Sequence, residues 1–310
     1  MNPKRMKERV VIAGGSGFLG QFLAKELVRR GNDVVILSRH AKEPSANGAI
    51  RFLEWDGRHV GRWAESLDGA RAVINLAGRS VNCRHTPENR KEIIESRVES
   101  VRAIGQGLKR CAKPPEVWIQ ASSLAIYGNP GDQWCDEHTP AANDFSAQVC
   151  RQWESAFTQL QTPGTRRVIF RIGFVLGKDG GALKVLANLA RWGLGGAAGN
   201  GKQYISWLHL RDMNDMFLAA LERPDFEGVF NATGPAPVTN REFMRELRQA
   251  LHRPWSPPAP VWAVRLGAWL MGTEGSLALT GRRCRPKRLI EKGFSFKFSE
   301  LGPALADLCG

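Results

Sequence analysis

Val10-Val11-Ile12-Ala13-Gly14-Gly15-Ser16-Gly17-Phe18-Leu19-Gly20 is the stretch on which the fold turns. Four apolar residues running into glycines have the pattern of a strand buried on both faces. Beyond them Phe18, Phe22, Leu23 and Leu27 recur at helical spacing, and Gly31 stands where a helix end takes a left-handed residue. A strand, a Gly-x-x-Gly-x-x-Gly turn and a helix, in that order, make a phosphate-binding turn for a dinucleotide. Gly14 permits the tight turn, Gly17 lets a pyrophosphate approach the backbone, and Gly20 lets the helix lie against the sheet. Gly15, Ser16, Phe18 and Leu19 complete the loop. The helix N-terminus then offers unpaired N–H groups and its positive dipole end to the phosphates.

Outward from this turn the chain keeps alternating. Apolar or β-branched runs at 33–38, 50–55, 72–75, 117–121 and 167–171 read as further strands. Helices fill the gaps at 86–109, where Thr86 caps and Pro87 and Glu88 follow, and at 144–159. Such alternation predicts right-handed βαβ units, hence an α/β fold with a doubly wound parallel Rossmann sheet. After about residue 175 the pattern loosens. Residues 193–201 are glycine-rich, 203–207 suggest a short strand, and Thr239-Asn240-Arg241-Glu242 is a capping box for a helix to about Leu251. The proline-rich 254–260 reads as a rigid turn, followed by a tryptophan-bearing helix, a strand at 293–298 and a last helix from Glu300. The expected division is a Rossmann domain over 1–235, with about 176–205 contributing to a substrate lobe, and a small α+β C-terminal lobe over 236–310.

The second strand decides the dinucleotide. An acidic residue at its end would bond a ribose 2′-hydroxyl; here Ser38-Arg39 stand there, with His40 beside them. A guanidinium takes a 2′-phosphate bidentately and a serine hydroxyl donates to it, so NADP is expected rather than NAD.

Charge and cysteines narrow the rest. The net charge of +14 invites a nucleic-acid reading, but Lys and Arg are interleaved with Asp and Glu along the chain. The densest run, Arg282, Arg283, Arg285, Lys287 and Arg288, reads as a solvated face with no stacking aromatics or zinc-finger signature beside it. No nucleic-acid partner is expected. Six scattered cysteines lack any Cys-x-x-Cys pair, so no metal site and no disulfide framework are expected. Lys4, Arg5, Lys7 and Arg9 before an apolar stretch imitate a signal peptide, yet the stretch is glycine-broken and meets Lys25 and Glu26. Residues 261–272 are too few to span a bilayer and contain Arg265. A cytoplasmic protein without a membrane partner is the expectation; a homodimer is left open.

Several motifs fit one group of proteins. They are Gly14-x-x-Gly17-x-x-Gly20, Asn75-Leu76-Ala77-Gly78, Ser96-Arg97, Gln120-Ala121-Ser122-Ser123 with Tyr127-Gly128, and Trp153-Glu154. Further along, 177–183, Leu194-Gly195-Gly196, Gly199-x-Gly201-x-Gln203, Trp207-x-His209 and Asp212 continue the match. Pro286, Gly293-Phe294 and 301–305 complete it. The chain thus resembles the atypical extended short-chain dehydrogenase/reductases, in the sugar-nucleotide-epimerase-like "epimerase family protein" group, some of whose members are labelled cell-division inhibitors. The resemblance implies a Rossmann domain with a small C-terminal lobe and NADP as cofactor. It also implies that Ser38 and Arg39 meet the 2′-phosphate, and that Leu76, Ala77 and Gly78 pass beside the adenine ribose and pyrophosphate. Arg97, with Glu92 before it, would face the cofactor from the long helix, and Arg171 and Gly173 would lie near the nicotinamide.

The chemistry is less complete. Short-chain dehydrogenases use a Ser or Thr, a Tyr and a Lys, the lysine lowering the tyrosine pKa so that a phenolate serves as base. Ser123, four residues before Tyr127, and Ser122 beside it are both candidates for the serine. No Tyr-x-x-x-Lys exists: aligned on Glu154, Ser146 replaces the tyrosine and Cys150 the lysine. His209 and Asp212 are the remaining candidates for substrate contact or proton transfer, and Tyr127, in the strand-end motif, reads as structural or substrate-facing. Two readings stay open: an NADP-dependent oxidoreductase or epimerase acting on a small polar or nucleotide-linked substrate, and a non-catalytic NADP(H) sensor.

Overall fold

The computed structural model describes residues 8–40 and 48–310, so Lys4, Arg5 and Lys7 lie outside the described residues. The first half alternates as β1 (Arg9–Ala13), α1 (Phe18–Arg29), β2 (Asp33–Ser38), β3 (Ile50–Glu54), β4 (Ala72–Asn75), α2 (Pro87–Leu108) and β5 (Val117–Ser123). After a short β6 (Trp134–Cys135) come α3 (Phe145–Thr158), β7 (Arg166–Ile172), β8 (Phe174–Leu176) and α4 (Gly181–Arg191). Then follow β9 (Tyr204–Ile205), β10 (Trp207–His209), α5 (Leu210–Glu222) and β11 (Gly228–Ala232). The chain ends with β12 (Val238–Thr239), α6 (Asn240–Ala250), α7 (Val261–Leu270), α8 (Ser276–Leu279), β13 (Arg283–Cys284), α9 (Lys287–Glu291) and α10 (Leu301–Cys309).

Seven strands form one parallel sheet in the order β3-β2-β1-β4-β5-β7-β11. The order reverses between β1 and β4, which opens a crevice at the carboxyl ends of those strands. Strand alternation splits the core in two. Val10, Ile12, Ile74, Ile119 and Phe170 pack with Leu23 and Leu27 of α1 and Met213 and Phe217 of α5. Val11, Val73, Trp118 and Ile169 pack on the other face with Val101 and Ile104 of α2 and Phe157 of α3. Burial on both faces is why these strands read as unbroken apolar runs. Caps fix the helix starts as the sequence leads one to expect. Thr86 and Asp144 accept from the backbone N–H groups of Asn89 and Ala147, and Thr239 with Glu242 closes a reciprocal box.

The later elements depart from expectation in three places. The strand expected at 203–207 is split, because Tyr204–Ile205 pairs antiparallel with β12 while Trp207–His209 pairs parallel with β8. No strand forms at 293–298: the backbone N–H groups of Lys297 and Phe298 are taken by the Asp212 carboxylate, at 2.7 and 3.1 Å. The seventh sheet strand β11 and helices α4 and α5 carry no expectation from the sequence.

A second core joins Leu183, Ala187, Trp207, Phe243, Leu247, Leu301 and Leu305, so α4, α6 and α10 form the smaller lobe. The chain between them returns to the sheet, where Leu289, Phe294 and Phe296 pack into the first core. The basic run at 282–288 is accordingly not a solvated face. Arg283 lies over the Trp134 and Tyr204 rings, at 4.1 and 4.8 Å, and Arg288 lies over Phe230 and donates to the carbonyls of Val229 and Glu227. Arg285 and Lys287 pair with Asp136. Among the described residues no helix is long and apolar enough to cross a membrane, and no cluster of His, Cys, Asp and Glu could hold a metal ion.

Candidate functional site

The glycine turn is built by close backbone contacts. Gly14 has φ +73° and donates its N–H to Leu37 O, and a Cβ there would sit 2.9 Å from the Ala77 backbone. A Cβ on Gly20 would come 2.5 Å from Gly15 Cα, so that glycine is required by helix packing. Gly17 differs: its backbone is extended and a Cβ would meet only Gly14 O, at 3.4 Å. The chain itself does not demand glycine there. What the missing side chain leaves open is the N-terminus of α1, which has no side-chain cap and no acidic residue in its first turn. Open, acid-free amide donors fit a pyrophosphate. Leu19 turns into the core, and the Phe18 ring lies under 177–181, where a Cβ on Gly177 or Gly180 would come within 2.5 Å of it.

Ser38 ends β2 with its hydroxyl 3.3 Å from the Ser16 hydroxyl, and Arg39 beside it is exposed. Both therefore lie at the rim of the turn. Leu76, Ala77 and Gly78 follow β4 along the same crevice, held by Leu76 N–H on Ala13 O and Ala77 N–H on the Asn75 side chain. Arg97 reaches the crevice from α2, and a Cβ on Gly78 would press on its side chain at 3.1 Å. Its Nη1 donates to the carbonyls of Arg79 and Ile93, its guanidinium lies 5.0 Å from the Trp153 ring, and no carboxylate among the described residues pairs with it. Burial pulls this guanidinium down to about 10. Glu92 does not join it: that carboxylate is held by Arg58, at 2.9 Å, away from the crevice arginine.

At the end of β5 the structure separates the two serines. Ser122 is buried and donates to Glu154 Oε1 at 2.6 Å. Arg171 grips the same carboxylate with Nε and Nη2, at 2.9 and 2.8 Å, and donates from Nη1 to the Tyr127 hydroxyl at 2.8 Å. Tyr127 in turn donates to Asn231 Oδ1 at 2.8 Å. Arg171 is held inside the protein, with its charge kept against the cost of burial by Glu154. Tyr127 is a buried strut between β5, β7 and β11, its phenol pushed far up by burial, so it cannot supply a phenolate. Gly173 answers to packing, because a Cβ there would lie 2.5 Å from Ser206 O.

Ser123 is the serine without a carboxylate partner among the described residues. Its Oγ accepts from Ala125 N–H at 3.2 Å, which leaves the hydroxyl proton uncommitted. Around it stand the residues in the dyad positions. Cys150 is buried, takes the Ser123 backbone N–H, and is pushed up to about 11 by burial, so it remains a neutral thiol. Ser146 lies one turn earlier on α3. The Arg97 and Arg282 charges both act on the Cys150 thiol. Arg282 donates from Nε to Gly128 O at 3.0 Å, is drawn down by burial, and forms no ion pair among the described residues. Sequence reasoning missed Arg282 because it sits in a basic run; only its place just before β13, half-buried with its Nε on Gly128 O, sets it apart from its neighbours.

His209 is not in this group. It is buried, caps α5 by accepting Arg211 N–H on Nδ1 at 3.1 Å, stacks on Phe298 at 3.9 Å, and faces Asp307 of α10 at 3.3 Å. It fastens the last helix to the lobe, and burial holds its pKa down at about 4.

Comparison with known proteins agrees with this architecture. The profile of the NAD dependent epimerase/dehydratase family matches residues 10–232, and that of a domain of unknown function, DUF1731, matches 259–308. The epimerase family protein SDR39U1 of Bos taurus is 33% identical, over 97% of this chain and 99% of its own. YfhF of Bacillus subtilis is 32% identical, over 96% and 97%. The crystal structure of human SDR39U1 with NADPH superposes with a TM-score of 0.86 at 31% identity, covering 97% of this chain and 99% of that one. A nucleoside-diphosphate sugar epimerase from Corynebacterium glutamicum follows at 0.78 and 28%, covering 98% of this chain and 58% of its own. On the strength of a profile that spans most of the sequence and relatives matched end to end, the chain belongs to the NAD dependent epimerase/dehydratase family.

Proposed function

We propose that the protein binds NADP(H) in the crevice between β1 and β4 and reduces or oxidises a small, anionic or nucleotide-linked substrate beside Ser123. The observation that carries this reading is the open, acid-free N-terminus of α1 flanked by Ser38 and Arg39. The NADPH of the human SDR39U1 structure supports it. Amides of 15–19 take the pyrophosphate, Arg39 and Ser38 take the 2′-phosphate, and 76–78 with Arg97 line the ribose side.

NADPH would supply the hydride at a substrate carbon. Ser123 donates its free hydroxyl proton in a hydrogen bond to the substrate oxygen and so places that carbon. Arg282 and Arg97 add positive charge in an enclosed cleft, which favours an oxyanion or an anionic substituent. No side chain here replaces the phenolate. Cys150 stays protonated at neutral pH, Ser146 is an unactivated hydroxyl, and proton transfer falls to solvent or substrate. Slow turnover of an activated carbonyl is the expected behaviour.

The missing base also favours a second reading, a sensor that binds NADP(H) without turnover. Mixing the NADPH-bound protein with carbonyl and sugar-nucleotide substrates and following nicotinamide fluorescence separates the two. Decay that disappears in Ser123→Ala supports the enzyme; tight binding with no decay for any substrate supports the sensor. Failure to bind NADPH overturns both.

A further inference from the structure

The surface of the small lobe carries an apolar face that the crevice does not use. Five of the ten tryptophans are exposed, and four of them lie here: Trp192 at 82%, Trp255 at 74%, Trp262 at 69% and Trp269 at 57%. On α7, Trp262, Leu266, Trp269 and Leu270 fall on one stripe at helical spacing, and Ala268 is the only buried residue of the helix. The loop after α4, with Trp192 and Leu194, abuts the segment that leads into α7. Ala198 bridges Ala259, and a Cβ on Gly199 would meet Val261 at 3.4 Å. The two stretches meet at this contact, and exposed apolar side chains gathered in this way mark interaction sites.

Charge identifies the occupant. Neither 180–211 nor 247–273 contains an Asp or a Glu, while Lys184, Arg191, Lys202, Arg253 and Arg265 lie within them and Arg84 lies over the Trp269 ring at 5.0 Å. A second copy would bring the same cations, and another +14, against this face. An anionic surface is the complement. Tryptophan flanked by arginine suits the boundary between lipid headgroups and acyl chains, where an indole is half wet and half apolar. A helix of ten residues is about 15 Å long by its 1.5 Å rise, too short to span a bilayer and long enough to lie on one. We propose that α7 and the Trp192 loop form a docking face for an anionic lipid bilayer, on which the protein lies without inserting a span.

The test uses the full chain and vesicles of phosphatidylcholine, with and without phosphatidylglycerol, at low salt. The protein should sediment with the anionic vesicles, its tryptophan emission should shift to the blue, and raised salt should release it. A Trp262→Ser/Trp269→Ser double variant that keeps the wild-type melting temperature should bind about tenfold more weakly or worse, because each loses a large apolar anchor. Trp63→Phe, in the other core, is the control for loss of signal alone and should bind normally. Absence of sedimentation, equal binding to neutral vesicles, or unchanged binding of the folded double variant overturns the proposal. A concentration-dependent dimer by light scattering that buries the same tryptophans does so too.

Discussion

At the residue scale, three side chains can be separated by experiment. Arg39→Asp should weaken NADPH binding about 10- to 100-fold, the loss of a charge-assisted contact with added repulsion, and leave NADH nearly unchanged; parallel titrations of nicotinamide fluorescence measure it. Ser122 and Ser123 should behave oppositely. Ser122→Ala removes a donor from the buried Glu154 carboxylate and should lower unfolding stability by about 1–2 kcal/mol, whereas Ser123→Ala, which loses only the bond to Ala125 N–H, should cost about 0.5–1 kcal/mol and abolish any turnover. His209 gives a pH signature. Its folded pKa of about 4 lies below the free value of 6.5, so the unfolded chain binds the proton more readily. Stability should therefore fall as pH drops from 6.5 towards 4 and be insensitive to this group above that window. His209→Asn, which keeps an acceptor for the α5 cap, should flatten that part of the melting curve.

At the element scale, Asp212 shows a carboxylate standing in for a strand partner. Asp212→Ala should leave the Lys297 and Phe298 amides unpaired, speed their hydrogen exchange, and cost about 2–4 kcal/mol in a urea melt. The same residue explains what the sequence could and could not disclose. Central strands such as β1 were legible because burial on both faces leaves an unbroken apolar run from Val10 to Ala13. The 293–298 run carries strand-like alternation, yet its amides are claimed by a residue more than eighty positions away. β11 opens on a glycine, holds the polar Asn231 and stands at the sheet edge, so no periodicity announces it. The glycine turn was legible because its demands are local. The Ser122–Glu154–Arg171–Tyr127–Asn231 chain was not, since four elements must meet before Tyr127 and Arg171 are seen to be struts.

At the scale of the whole molecule, Phe18 links the glycine turn to the start of the smaller lobe. It is the first residue of α1, and its ring is the peg beneath 177–181 at the start of α4. Gly180→Ala would drive a methyl group into that ring; overpacking of about 1–3 kcal/mol should appear as a lower melting temperature together with weaker NADPH binding, although residue 180 belongs to the other lobe. The shared peg makes the two ends of the crevice parts of one equilibrium. Whatever factor the dinucleotide contributes to seating α4, a ligand that seats α4 must return to the dinucleotide, and neither constant can be measured without stating how much of the other partner was present.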